Sequence, residues 1–123
     1  MGDSATIHAA PQHIRALERA NRVRLARAEL KRRVALQMTS AAEVVLDNPW
    51  EAASMELSDL LMSQRRWGRA RCRRVLLSLG LPENKQIGTL TERQRHALAE
   101  TLAAKQAALA REKAFVQKTL VAA

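Results

Sequence analysis

No glycine or proline occurs between Gln12 and about Met38, and none from Thr91 onward. The residues that interrupt helices are gathered in between, at Pro49, Gly68, Gly80, Pro82 and Gly88. A backbone rich in good helix formers and free of breakers continues as helix until something stops it. The punctuation predicts an all-α chain: a long helix, several short helices joined by turns, and a second long helix.

Local signals place the joints. Residues 1–10 lack periodicity and read as a flexible tail. Pro11 suits the opening of a helix, where a missing N–H costs nothing. At 100° per residue, Ile14, Leu17, Leu25 and Ala28 share one side of that helix, and Arg15, Arg19, Arg22 and Arg33 fall within a strip about 60° wide on another. Glu29 is spaced to pair with Arg33. Ser40-Ala41-Ala42-Glu43 is a capping box, so a short helix runs from Ala41 to about Asp47, where Asn48-Pro49 breaks it. Leu57, Leu60 and Leu61 mark another short helix ending near Ser63. A turn from Gln64 to Gly68 leads into a helix from Arg69 to Leu79 that buries Val75, Leu76 and Leu79. Gly80 is its expected left-handed stop, with Pro82 blocking continuation. Thr91-Glu92-Arg93-Gln94 is a second capping box and opens the last helix. Trp50 and Met55 are expected to plug the core. With no Tyr and a single Phe, that core must be small and aliphatic.

Charge narrows the class of partner. The net charge is +9, an excess that calls for a polyanion, either nucleic acid or an acidic membrane surface. No apolar run approaches the ~18–20 residues of a membrane span. Residues 12–36 hold eight Lys or Arg against Glu18 and Glu29, and residues 39–63 hold five acids and no base. Then comes Arg65-Arg66-Trp67-Gly68-Arg69-Ala70-Arg71-Cys72-Arg73-Arg74, with six arginines and no acid. The planar fork of arginine suits phosphate. The glycine permits a tight turn before a helix whose first N–H groups then face an anion. Trp67 either wedges into a groove or packs inward. Cys72, the single cysteine, excludes an internal disulfide and fits a reducing cytoplasm; among arginines it is either reactive or a small buried side chain.

On the last helix, Leu98, Leu102, Leu109, Val116 and Leu120 lie on a stripe about 40° wide. Leu102, Leu109 and Val116 are seven apart, as in a coiled-coil seam. The stripe either docks on the protein's own body or mediates self-association. His8, His13 and His96 lack metal-ligand spacing, and no Walker loop, nucleophile elbow or dinucleotide fingerprint occurs. No enzyme activity, catalytic residue, metal or cofactor is expected.

The order of Met55-Glu56-Leu57-Ser58-Asp59-Leu60-Leu61, Trp67-Gly68-Arg69-Ala70-Arg71, Leu79-Gly80-Leu81 and Arg93-Gln94-Arg95-His96-Ala97-Leu98 resembles the actinobacterial integration host factor family. Ala16-Leu17-Glu18-Arg19-Ala20 and Arg27-Ala28-Glu29-Leu30-Lys31 resemble that family's first helix. The match covers about residues 12–103. It implies a long basic helix followed by a helix–two-turns–helix domain. It also implies double-stranded DNA bound with little sequence preference and bent, in aid of integration or nucleoid organisation. That would place the protein in the cytoplasm on the nucleoid, with a site-specific recombinase as a possible partner through the shared DNA.

Arg66, Gly68, Arg69 and Arg71 fall on the family's basic glycine turn, and Lys85 and Gln86 on its second basic site. Arg65, Arg15, Arg19, Arg22 and Arg93 complete the expected DNA-binding set, with Trp67 if it is a wedge. The chain departs from the family pattern with Gly88 in place of a third arginine, Thr89 and Thr91 for glycines, Arg65 for a proline, and Arg73 and Arg74 for neutral or acidic residues. The first site is thereby strengthened and the second weakened, as in a diverged copy of host or phage origin. The expected organisation is a tail over 1–10, a basic helix over 11–38, a DNA-binding domain over 39–104, and a helical extension over 105–123 without family counterpart. An RNA- or ribosome-binding protein using the same turn, and a helical adaptor docking through the C-terminal stripe, remain the alternatives.

Overall fold

The computed structural model describes residues 11–122, with side chains through residue 120. The tail expected over 1–10 lies outside the described residues. Among the described residues, five α-helices follow in order: α1 Gln12–Ala35, α2 Ala41–Asp47, α3 Leu57–Met62, α4 Arg69–Ser78 and α5 Glu92–Ala122, with a 3-10 turn at Ile87–Thr89 before α5. No strand forms among the described residues, and an isolated antiparallel bridge joins Glu56 to Gln86. The chain is all-α, with a long basic N-terminal helix, a helix–two-turns–helix unit and an extended C-terminal helix.

The joints fall where the local chemistry puts them. Ser40 caps α2, its hydroxyl accepting from the Glu43 N–H at 3.1 Å, and Asn48 closes the helix in the left-handed region at φ 46. The second capping box is fully reciprocal: the Gln94 N–H donates to Thr91 Oγ1 at 3.1 Å, and the Thr91 N–H to Gln94 Oε1 at 3.0 Å. α4 ends in a Schellman turn at Gly80, φ 69, with Leu81 N–H on the Leu76 carbonyl and Gly80 N–H on that of Leu77. α1 ends in the same motif about Gln37, φ 61, with Met38 N–H on the Arg33 carbonyl. The first amides of α3 are satisfied by another loop: Leu57 N–H donates to the Lys85 carbonyl at 2.9 Å, and Ser58 N–H to that of Glu83 at 3.1 Å.

The core is aliphatic, as the composition requires. Val44 and Val45 of α2, Met55, Leu57, Leu60 and Leu61 of α3, Cys72, Val75 and Leu76 of α4, and Leu98 and Leu102 of α5 are buried together. Only the end of α1 joins them, through Leu30 and Val34. That end is tied down by Arg27, whose Nε donates to the Glu51 carbonyl at 2.9 Å and whose Nη2 meets Ser54 Oγ, and by Lys31 against Asp59 at 2.7 Å. Ile14, Leu17 and Leu25 are exposed, because the first half of α1 extends beyond the core. Glu29 pairs with Arg32 rather than Arg33, at 2.8 Å, and this guanidinium holds the Glu29 carboxyl below its ordinary value.

Two expectations, for Trp50 and Leu79, are corrected, and two alternatives left open, for Trp67 and Leu102, are decided. Trp50 is 65% exposed and plugs nothing; it lies in the turn after Pro49, outside any helix face that packs. Trp67 is buried at 7% exposure, so it is no groove wedge; the turn it occupies closes over the ends of α3 and α4. Leu79 is half-buried, packed against the core rather than within it. Leu102 is fully buried in the protein's own core and is withdrawn from any self-association seam, since the first half of α5 packs on α2. Val116 and Leu120 remain exposed.

Candidate nucleic-acid interface

The basic turn is built by α3 running out. The Ser63 N–H bonds the Leu60 carbonyl and the Gln64 N–H that of Leu61, after which Arg66 takes the left-handed conformation at φ 67. Trp67 N–H donates back to the Gln64 carbonyl at 3.3 Å. The strained residue is thus Arg66, at a cost of about 1–2 kcal/mol for an L-residue. Gly68 has an ordinary extended backbone, φ −92 and ψ 176, and is the N-cap of α4. Arg71 braces the turn from within the helix. Its Nη1 donates to the Arg66 carbonyl at 3.2 Å, and its guanidinium carbon lies 5.7 Å from the Trp67 ring centre.

The start of α4, like that of α1, lacks a side-chain cap and an acid in its first turn. α2 and α5 open with a capping side chain and an acid in the first turn. α4 opens with neither, and with Arg69 in their place. Its N-terminal dipole and first N–H groups therefore face outward beside cations only. Arg65, Arg66 and Arg69 are exposed around it. Arg73 is neutralised by Glu83 at 2.8 Å. Cys72 is buried, and burial pushes its thiol pKa up, with Glu83 acting in the same direction; it is a packing residue and not an activated thiol.

The remaining expected residues do not gather at one point. Lys85 and Gln86 are held at the start of α3 while the basic turn follows its end. The six-residue α3, about 9 Å long, separates them. Arg93 is exposed in the first turn of α5, beyond the 3-10 turn that follows Gln86. Arg15, Arg19 and Arg22 are exposed on the projecting half of α1. Arg22 precedes Val34, which reaches the basic turn's cleft, by roughly 18 Å of helix.

Two residues outside the expected set have clear roles. Arg95 is a structural pin: its Nη1 donates to the Val45 carbonyl at 2.6 Å and its Nη2 to that of Ile87 at 3.0 Å. Lys113 of α5 lines a cleft of ≈ 430 Å³ together with Arg65 and Arg66. Its position four residues after Leu109, on the same side of the helix, was the available signal. Among the described residues, no three His, Cys, Asp or Glu groups gather as a metal site, and no helix is long and apolar enough to cross a membrane.

Among the described residues, these features define an all-helical protein in which the uncapped, arginine-flanked start of α4 faces outward. A solved chain shares the architecture: the structure of sIHF, an integration host factor, bound to an 8 bp palindromic DNA matches with a TM-score of 0.63 and 28% identity, over 69% of this chain and 98% of that one. The chain therefore has a fold like that of sIHF, and nearly a third of it lies outside the likeness. No protein-family model matches the chain, and no curated protein matches it.

Proposed function

We propose that the protein binds double-stranded DNA along its sugar–phosphate backbone, with little sequence preference, and bends it as a nucleoid-associated architectural protein. The observation that carries this reading is the start of α4, uncapped, free of acid and ringed by Arg65, Arg66 and Arg69. A phosphate seated there accepts from the first N–H groups of α4 while the guanidinium forks engage its flanking oxygens. The likeness to sIHF, whose solved structure holds DNA, supports the same partner for this chain.

The second contact is assigned to Arg15, Arg19 and Arg22 on α1, and a third to Lys85, Gln86 and Arg93. Contacts of this kind position a duplex and carry no direct base readout. A duplex engaged by separated basic surfaces bends when the surfaces do not fit a straight rod, at a cost of a few kcal/mol offset by the added phosphate contacts. The reading extends to organising DNA or assisting its integration.

Fluorescence anisotropy with two unrelated labelled duplexes tests the proposal. Affinity is expected to fall on the order of 10²–10⁴-fold between 50 and 200 mM salt. Arg66→Ala with Arg69→Ala is expected to weaken both duplexes alike. A flat salt response, loss on one sequence alone, or preference for a structured RNA competitor over the duplex would overturn it.

A further inference from the structure

The second half of α5 continues past Leu102, the last residue the core buries, yet it stays beside the body. Leu109 is half-buried and forms the ridge between two clefts, one on each flank of the helix. We infer that the cleft between the basic turn and α5 is a second phosphate seat on the DNA backbone, with Lys113 supplying its far wall. The inference rests on the DNA-binding reading and deepens it by adding the C-terminal helix to the interface.

Charge selects this flank. Arg65 and Arg66 enter the cleft from the turn and Lys113 from α5, and no carboxylate lines it. The nearest acid on the adjoining segment, Glu43, is held by the Thr39 hydroxyl at 2.9 Å and does not line the cleft. None of the three cations has an ion pair among the described residues. Like charges brought to one cleft from two separate elements repel unless an anion lies among them. Gln106 and Gln117 add amide groups on the α5 wall. The cleft on the other flank differs: there Glu112 sits with Arg71, Arg74 and Lys105 and offsets their charge from within.

Position joins the cleft to the helix-end site. Arg65 and Arg66 belong to both, because the turn that carries them leads directly into α4. A nucleic-acid strand is a row of phosphates, one per ~3.4 Å of axis. A strand that rests one phosphate on the start of α4 therefore carries its neighbours along the turn, where a cation opposite Arg65 and Arg66 can close on them.

The test compares two substitutions in the full chain that remove the same charge from the same helix. Lys113→Gln removes the cation in the cleft; Lys118→Gln removes one that lines neither cleft, about 140° further round the helix. Both positions are exposed, so both variants are expected to melt like the parent, which thermal denaturation checks. In anisotropy titrations on a labelled duplex, Lys113→Gln is expected to bind about 3- to 10-fold more weakly. The slope of log K against log salt should be shallower by about 0.9, the signature of one lost phosphate contact. Lys118→Gln is expected to stay within about twofold of the parent. If the two variants match each other, or Lys113→Gln binds more tightly, the phosphate seat is overturned while the DNA-binding reading stands. If the parent protein ignores the duplex, both fall.

Discussion

Gly68 and Gly88 show how differently one residue type can be used. At Gly88 a Cβ would come within 2.8 Å of the Ala53 carbonyl oxygen and 3.1 Å of its Cβ. The Gly88 N–H already donates to that oxygen at 2.7 Å. That close approach leaves no room for a side chain at this position. Gly88→Ala is expected to cost about 1–3 kcal/mol in urea denaturation, because two backbone segments must separate. At Gly68 a Cβ would meet nothing within 4 Å, and the backbone there suits any residue. Nothing inside the protein requires a glycine at that point. An N-cap side chain, however, is the one placed over the N–H groups of the first turn. Gly68→Ala is therefore expected to leave stability within about 0.5 kcal/mol, since a poorer cap and a less flexible unfolded chain nearly cancel. It should nonetheless weaken duplex binding by crowding the phosphate. Unchanged affinity in the anisotropy assay would remove the start of α4 from the interface.

At the scale of elements, stability depends on how helix ends are satisfied, and Arg95 sets the largest single case. Its guanidinium reaches the carbonyls of Val45, Ile87 and Leu90, joining α2, the 3-10 turn and the start of α5. Arg95→Ala strands those oxygens and is expected to lose roughly 2–3 kcal/mol, read as a lower urea midpoint. Arg95→Lys should recover only part, because an ammonium lacks the two-pronged fork. This pin could not be read in the sequence, since it depends on contacts between segments as far apart as Val45 and Arg95. What was legible is local: the two capping boxes, the Gly80 stop, the leucines of α3 and the basic turn all follow from neighbours within a few residues. The end of α1 was less legible because its left-handed residue is Gln37 and not a glycine. Trp50 was misread and Trp67 left open for a related reason: both sit in irregular segments, where no period tells inside from outside. Of the candidate site, the arginine cluster is legible from its density, whereas Lys113 offered only its place four residues after Leu109, and the turn it faces is visible in the fold alone.

For the whole molecule, the decisive quantity is the fixed spacing of its basic surfaces. The C-terminal part of α1 is anchored by Leu30, Val34, Arg27 and Lys31. Its N-terminal half carries Arg19 and Arg22 outward, roughly 18–22 Å along the helix from the end that meets the cleft. The anchor combines packing with a charged hydrogen bond and an ion pair, and the bending proposed for the complex requires that it hold the projecting half against a straight duplex. Binding and bending should then separate by mutation. On a duplex of about 40 base pairs with a donor and an acceptor dye at its ends, the parent protein is expected to raise energy transfer as it binds, at a deformation cost of a few kcal/mol. Arg19→Ala with Arg22→Ala should leave the turn, α4 and α5 to bind, with affinity reduced and the salt slope shallower by up to about 1.8. The saturated complex should show little of the parent's rise in transfer. Arg66→Ala with Arg69→Ala should instead lower affinity most, yet restore the parent's transfer once enough protein is added to saturate. If the α1 variant bends the saturated duplex as fully as the parent, α1 contributes charge alone, and the bend must arise within the turn and the cleft beside α5.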